Sequence, residues 1–291
     1  MFVNNFAIIH IETQMQSINC KGITINLDKP IVMGIINATP DSFYKGNLMD
    51  GIAAIVNMAS KMITDGATIL DIGGQSTKPN ATQIAVQEEL DRVIPVIEAI
   101  HKKHPATILS VDTFYSTVAV AAKEAGASIV NDVSCGEMDS EMLTTIAKLK
   151  NVPYIGMHMR GTPATMQSLT NYNNLVEDIK DYLKEKKAIC AALGIQDFII
   201  DVGFGFAKTI EQNFTLLKNL DAFKTLECPI LVGLSRKSSI YKTLGITAAE
   251  ALNGTTVLNT LALQNGASIL RVHDVKEAME VIKLMEVYKG N

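Results

Sequence analysis

A closed barrel of parallel strands wrapped in helices, preceded by a short antiparallel hairpin, is the architecture this chain predicts. Three observations carry that expectation. Eight short β-branched runs recur along the sequence, helical apolar periodicity fills the intervals, and a polar residue able to do chemistry ends every run. Alternating strand and helix specifies a parallel sheet, and eight such units close it into a (β/α)8 TIM barrel. The active site of such a barrel is built from the loops at the C-terminal ends of its strands.

The hairpin comes first. Residues 18–28 (INCKGITINLD) alternate around Lys21-Gly22, the pattern of two strands joined by a tight turn. Residues 1–29 therefore read as an N-terminal extension and 30–291 as the barrel, with the hairpin placed to plug its bottom. The eight runs follow: IVMGII (31–36), TILD (68–71), TILSV (107–111), SIV (128–130), PYIGM (153–157), FII (198–200), PILVG (229–233) and SILRV (268–272). They read as continuous apolar stretches, as strands covered on both faces do. Between them, Ile52, Ile55, Val56, Ala59, Met62 and Ile63 form one helical face, and Leu90, Val93, Ile94, Ile97 and Ile100 form another. The helix exits Asp65-Gly66-Ala67, Ala125-Gly126-Ala127 and Asn265-Gly266-Ala267 each lead straight into a strand. Glycine there supplies the left-handed residue that ends a helix. No linker or composition shift marks a second domain.

Composition removes several function classes. A chain of 291 residues with 47% hydrophobic content has ample core, and a net charge of −4 leaves no basic stripe for nucleic acid. No stretch approaches the roughly 18 uninterrupted apolar residues of a membrane span. The first residues lack the basic segment and cleavage site of a signal peptide. Cys20, Cys135, Cys190 and Cys228 are scattered without metal-ligand spacing. The expectation is a cytoplasmic protein with reduced thiols that works on small molecules rather than on nucleic acid or membranes.

The residues at the run ends are Asn37, Asp71, Asp112, Asn131, His158, Asp201, Ser235 with Arg236 and Lys237, and Arg271 with His273. Taken singly, these loops are ordinary. Asn37, Thr39, Pro40, Asp41 and Ser42 are turn formers, DIGGQSTKPN (71–80) reads equally well as a flexible glycine–hydroxyl loop, and a strand-end carboxylate usually caps the next helix. Convergence on one mouth changes the reading. Asp112, Asn131 and Asp201 could receive the paired N–H groups of a guanidine-like heterocycle, each charge-assisted bond contributing about 1.5–3 kcal/mol. Phe206 could wall a flat ring, although most such phenylalanines are core.

Arg271 and His273, two apart on an extended segment, point the same way. With Arg236 and Lys237 they place cations after the last two runs, where barrels of this class frequently bind phosphate. His158 reads as a base or, more often, as a hydrogen-bonded structural residue. Asn37 could offer an oxygen to Mg2+, a metal held by few protein ligands and completed by phosphate oxygens and water. A planar, donor-rich ring with a diphosphate tail would suit such a mouth.

The segments NATPDSF (37–43), DIGGQSTKP (71–79), SVDT (110–113), NDVS (131–134), MHMRGTPATMQ (157–167), DVGFGFAKT (201–209), GLSRKSS (233–239) and RVHD (271–274) occur in this order. Each alone is weak to moderate, and all eight in order are highly specific. Over residues 31–285 the chain resembles the dihydropteroate synthase family of pterin-binding enzymes, the folate-pathway targets of sulfonamides. The resemblance implies a (β/α)8 fold and usually a homodimer formed through barrel helices. The reaction it implies is displacement of diphosphate from (7,8-dihydropterin-6-yl)methyl diphosphate by the amine of p-aminobenzoate.

Residue by residue, the resemblance implies Asn37 as the Mg2+ ligand. It places Asp112, Asn131, Asp201 and Lys237 around the pterin ring, with Met157 and Phe206 lining its pocket. Thr77, Lys78, Arg271, Val272 and His273 would contact substrate, Arg271 and His273 gripping the diphosphate. Phe43, Pro79 and Ser238 would flank p-aminobenzoate, with Lys237 near its ring. Lys237, Arg271 and His273 are the residues it marks as catalytic.

The chain also departs from the family pattern. Ser76-Thr77-Lys78-Pro79-Asn80 stands where Ser-Thr-Arg-Pro-Gly is usual, and lysine loses the planar fork that binds a carboxylate bidentately. Lys45 replaces a common acidic residue, Gln75 a glutamate, Val202 a proline and Ala164 a basic residue. None of these removes a residue assigned to the pterin ring. Two rivals follow. A methyltetrahydrofolate methyltransferase would share the barrel but have no use for a diphosphate clamp. A non-catalytic pterin-binding homologue would bind the diphosphate substrate without releasing diphosphate.

Overall fold

The computed structural model describes residues 16–39, 48–78 and 81–290. Strands β1 (Ser17–Cys20) and β2 (Ile23–Asn26) pair antiparallel. Lys21 and Gly22 between them both take positive φ, 52° and 85°, as two-residue hairpin turns require. Eight parallel strands follow: β3 (Ile31–Asn37), β4 (Ile69–Gly73), β5 (Ile108–Asp112), β6 (Ile129–Asp132), β7 (Tyr154–Met157), β8 (Phe198–Asp201), β9 (Ile230–Val232) and β10 (Ile269–Val272). Each pairs with its neighbour in sequence, and β10 returns to β3, with Ile269 opposite Ile31, to close the barrel. The eight runs and the predicted fold class are thus observed.

Helices alternate with the strands: α1 (Leu48–Thr64), α2 (Val86–Lys103), α3 (Ser116–Ala125), α4 (Met142–Leu149), α5 (Leu175–Ala192) and α6 (Ile210–Lys218). The β9–β10 connection departs from strict alternation by carrying two, α7 (Ser238–Leu244) and α8 (Leu252–Gln264), and α9 (Val275–Lys289) follows β10. The repeated helix exits behave as expected. Gly66, Gly126 and Gly266 have φ of 108°, 129° and 103°. The following alanine N–H reaches back to the helix, as in Ala67 N to Met62 O at 2.9 Å and Ala127 N to Ala122 O at 2.8 Å. That six-to-one bond satisfies a carbonyl the ending helix would otherwise leave open.

Side-chain alternation along the strands divides the interior. Outward residues such as Leu70, Val111, Val130, Ile200 and Leu270 bury against the helices. Inward residues Met33, Ile69, Ile108, Ile129, Ile155, Ile199, Leu231 and Ile269 form one apolar floor. Ile18, Cys20, Ile25 and Leu27 of the hairpin segment close that floor from below. The hairpin therefore plugs the bottom, each large side chain contributing about 1.5–3 kcal/mol by leaving water. The four cysteines are free and buried. No helix among the described residues is long and apolar enough to cross a membrane.

Candidate active site

Two residues beyond the floor, the same inward faces turn polar. Arg271 on β10 donates from Nε to Asp71 Oδ2 and from Nη2 to Asp112 Oδ2, both at 2.6 Å. Asn131 Nδ2 donates to the same Asp71 oxygen at 3.0 Å. Asp71 is fully buried, and its Oδ1 has no hydrogen-bond partner. Burial works against the Arg271 charge, but Asp71 and Asp112 hold the guanidinium protonated beyond its usual range. Burial likewise pushes Asp112 up to about 7, with Arg271 pulling it back. Strand order explains the cluster, because β10, β3, β4, β5 and β6 are successive neighbours in the closed sheet. The cations expected at one side of the mouth are thus not segregated: Arg271 reaches across β3 to the carboxylates.

Asp201 and Lys237 form the second half of the pit. Asp201 ends β8, opposite Met157 in the register with β7, and its Oδ1 accepts from Gly203 N at 2.7 Å. Burial raises its pKa, while Lys237 lowers it. Lys237 stands at the entrance to α7, donates to the Phe204 carbonyl and lies 4.8 Å over the Phe206 ring. Burial brings its pKa down to about 8, opposed by Asp201. Met157 packs with Phe114, Val133, Met159, Met166 and Ala207, and Phe206 rests on that cluster. One wall of the pit is therefore apolar and the other ionic.

The rim holds the remaining candidates. His273 Nδ1 is 2.9 Å from Ser235 Oγ, and the His273 N–H donates to that oxygen at 3.2 Å. Burial depresses the imidazole to about 4, with Arg271 next and Lys78 also contributing. Loop 2, residues 74–78 after β4, thus brings its lysine within electrostatic range of β10. Thr77 is half-buried and Lys78 exposed. Gln75, in the stem of that loop, donates to buried Glu89 at 2.6 Å, and Arg92 holds the Gly74 carbonyl at 2.7 Å. Asn37 ends β3 with its side chain exposed at the rim, and half-buried Ser238 opens α7.

Several expectations are redistributed. Arg236 is not available as a rim cation. It makes a two-pronged pair with Asp274 at 2.9 Å and caps the Ala248 and Ala249 carbonyls, locking the loops after β9 and β10 together. Val272 turns its side chain out into the core between barrel and helices, so only its backbone faces the rim. His158 is buried beside Lys208 rather than presented to the mouth. Phe43 and Pro79, with Lys45 and Asn80, lie outside the described residues. Asp71 belongs to the pit although its sequence context marks only a strand end; TILD carries the same signal as the other strand-end carboxylates.

A pit of this kind can bind a flat ring through carboxylate acceptors and a lysine donor, beside cations able to meet an anionic tail. Comparison with known proteins agrees. The family model described as pterin binding enzyme matches residues 33–273. The chain is 40% identical over 268 residues to the dihydropteroate synthase of Escherichia coli (strain K12), covering 91% of this chain and 94% of that one. The solved structure of Xanthomonas albilineans dihydropteroate synthase with 4-aminobenzoic acid has a TM-score of 0.88 at 38% identity, over 96% of this chain and 100% of that one. The Xanthomonas albilineans enzyme in complex with 7,8-dihydropteroate gives 0.83 at 34% identity, over 94% and 99%.

Proposed function

This chain belongs to the pterin-binding enzymes, among the dihydropteroate synthases, and from that premise we propose how its own residues divide the work. The reaction joins (7,8-dihydropterin-6-yl)methyl diphosphate to p-aminobenzoate, giving 7,8-dihydropteroate and diphosphate. The observation that carries the reading is the single hydrogen-bonded network of partly buried Arg271 and Asp112 with buried Asp71 and Asn131, facing Asp201 and Lys237. Asp112, Asn131, Asp201 and Lys237 hold the pterin ring against Met157 and Phe206. Arg271, His273 and Thr77 face the diphosphate. Lys78 and Ser238 bound the p-aminobenzoate side, to which the family resemblance also assigns Phe43 and Pro79, and there sulfonamides would compete.

The chemistry asks little beyond placement and charge. The methylene C–O bond breaks as the arylamine nitrogen forms its C–N bond, and the amine then loses a proton. Clamping the ring fixes the electrophile, and an aligned arylamine needs no strong base. Negative charge growing on the departing diphosphate is met by Arg271 and by the His273 ring. The donor set also fits Mg2+. Asn37 offers a neutral amide oxygen at the rim. A cation there would take most ligands from phosphate and water. When bound, Mg2+ would neutralise diphosphate charge.

The same reading includes a homodimer and a cytoplasmic setting. Val257 and Leu261 of α8, with Leu244 of α7, expose apolar surface consistent with a helix-mediated contact; sedimentation velocity checks it. The deciding assay is diphosphate release from the dihydropterin-methyl diphosphate in Mg2+, with and without p-aminobenzoate. Release that depends on p-aminobenzoate, with dihydropteroate as product, is the expected result. Binding without release would leave the pterin-binding homologue as the better reading.

A further inference from the structure

Behind the pit lies a lysine that none of the assigned roles uses. Lys208 is 4% exposed, and its ammonium meets three neutral acceptors: Gly203 O and Phe206 O at 2.9 Å, and His158 Nδ1 at 3.1 Å. Three N–H groups and three acceptors leave no proton of the ammonium unpartnered. For His158 Nδ1 to accept, that ring is neutral with its proton on Nε2, and burial followed by Lys208 drives its pKa far down. The backbone is shaped around the arrangement. Gly203 has φ of 74°, and a Cβ there would strike the His158 carbonyl oxygen. The two carbonyls that Lys208 gathers flank the one taken by Lys237, and the Gly203 N–H is the group that binds Asp201.

We propose that Lys208 is a positioning residue for the pterin pit: it folds the 203–206 loop so that Gly203 N–H holds Asp201 and Phe206 faces the ring, and it places an ammonium group behind Asp201. Resting on the synthase reading above, the inference adds a buried residue to it. The charged and titratable groups around Lys208 are Asp201 from β8, Lys237 from the entrance to α7, and Arg160 and His158 from the loop after β7. Burial works most strongly against the ammonium charge and Asp201 favours it, while Lys237 and Arg160 add to the opposition, bringing the Lys208 pKa down to about 7.

The test is calorimetry of 6-hydroxymethyl-dihydropterin, which lacks diphosphate, against the full chain across pH. In Lys208→Met, affinity should fall about ten- to a hundredfold. Asp201 keeps Lys237 and Arg271 but loses its third neighbouring cation, so its pKa rises and the acid limb of binding moves to higher pH. The KM for p-aminobenzoate should not move. His158→Gln, which keeps an acceptor, should bind close to the unaltered protein, and His158→Leu, which strands one N–H, should bind more weakly. A folded Lys208→Met with unchanged affinity and acid limb overturns the proposal. If Lys208→Met does not fold, equal binding by the two His158 variants overturns it instead. Failure of the unaltered chain to bind the pterin would sink the synthase reading, an outcome distinct from either.

Discussion

The floor and the mouth of this barrel are built on the same strand faces two residues apart, and they follow opposite rules. Ile69 precedes Asp71, Ile129 precedes Asn131, Ile199 precedes Asp201 and Ile269 precedes Arg271. A period of two keeps each pair on one side of its strand, so geometry does not separate them and chemistry does. The floor excludes water with interchangeable apolar bulk. Directly above that dry layer, charges are weakly screened and depend on particular partners. The lesson is that a floor residue should set how much protein is folded, and a mouth residue how well folded protein works.

Arg271→Ala should separate the two rules most sharply. Removing one preorganised donor to developing negative charge costs about 2.7–4 kcal/mol in the transition state, so turnover should drop about a hundred- to a thousandfold. Affinity should fall more for the diphosphate substrate than for free pterin; equal losses would argue against a diphosphate clamp. Without the guanidinium, Asp112, already raised to about 7, rises further. A carboxyl raised in the folded state stabilises below its unfolded pKa and loses that contribution as pH rises. Urea titrations should therefore show the variant weakening toward alkaline pH more steeply than the native chain.

Asp201→Asn comes next. It removes a charged acceptor worth about 1.5–3 kcal/mol, or about ten- to a hundredfold in pterin affinity by calorimetry; unchanged affinity would take Asp201 out of the pit. Glu89→Gln should alter turnover only a few-fold, since Gln75 keeps a partner at the stem of loop 2. Its signature is in stability. Burial lifts Glu89 from 4.5 to about 8, so native stability falls as pH rises through that window, and melting curves of the variant should lack the slope. Ile269→Ala should be smallest in turnover per folded molecule, with no change, despite losing about 2–5 kcal/mol of stability to a cavity. Impaired catalysis in that variant would show that the two layers are not independent.

The strands, the hairpin and most pit residues were legible because each is announced locally, by a β-branched run, a turn or a polar strand end. What was not legible depends on partners far away in the chain. Arg236 reads as a free cation beside hydroxyls, and only the fold shows Asp274 consuming it. Arg271 reads as a rim charge, yet long side-chain reach and barrel closure seat it between Asp71 and Asp112. Lys208, in a glycine-rich loop, and Glu89, in a helix otherwise rich in solvated charges, carry no sign of burial in their neighbours. Their environments are made by His158 and by the stem of loop 2, which no spacing rule connects to them.

Barrel closure also sets a clock. The seam joins β3 to β10, segments from opposite ends of the barrel sequence, and the hairpin has no complete floor to seal until that seam forms. At about 5–20 residues per second of synthesis, the apolar β3 edge waits on the order of ten seconds or more for its partner. An unpaired apolar strand edge is an invitation to other chains, and sequence-distant pairing is slow to form. Nascent chains of this protein should therefore be most aggregation-prone just before β10 emerges, and truncation ahead of Ser268 should yield insoluble material rather than a smaller barrel.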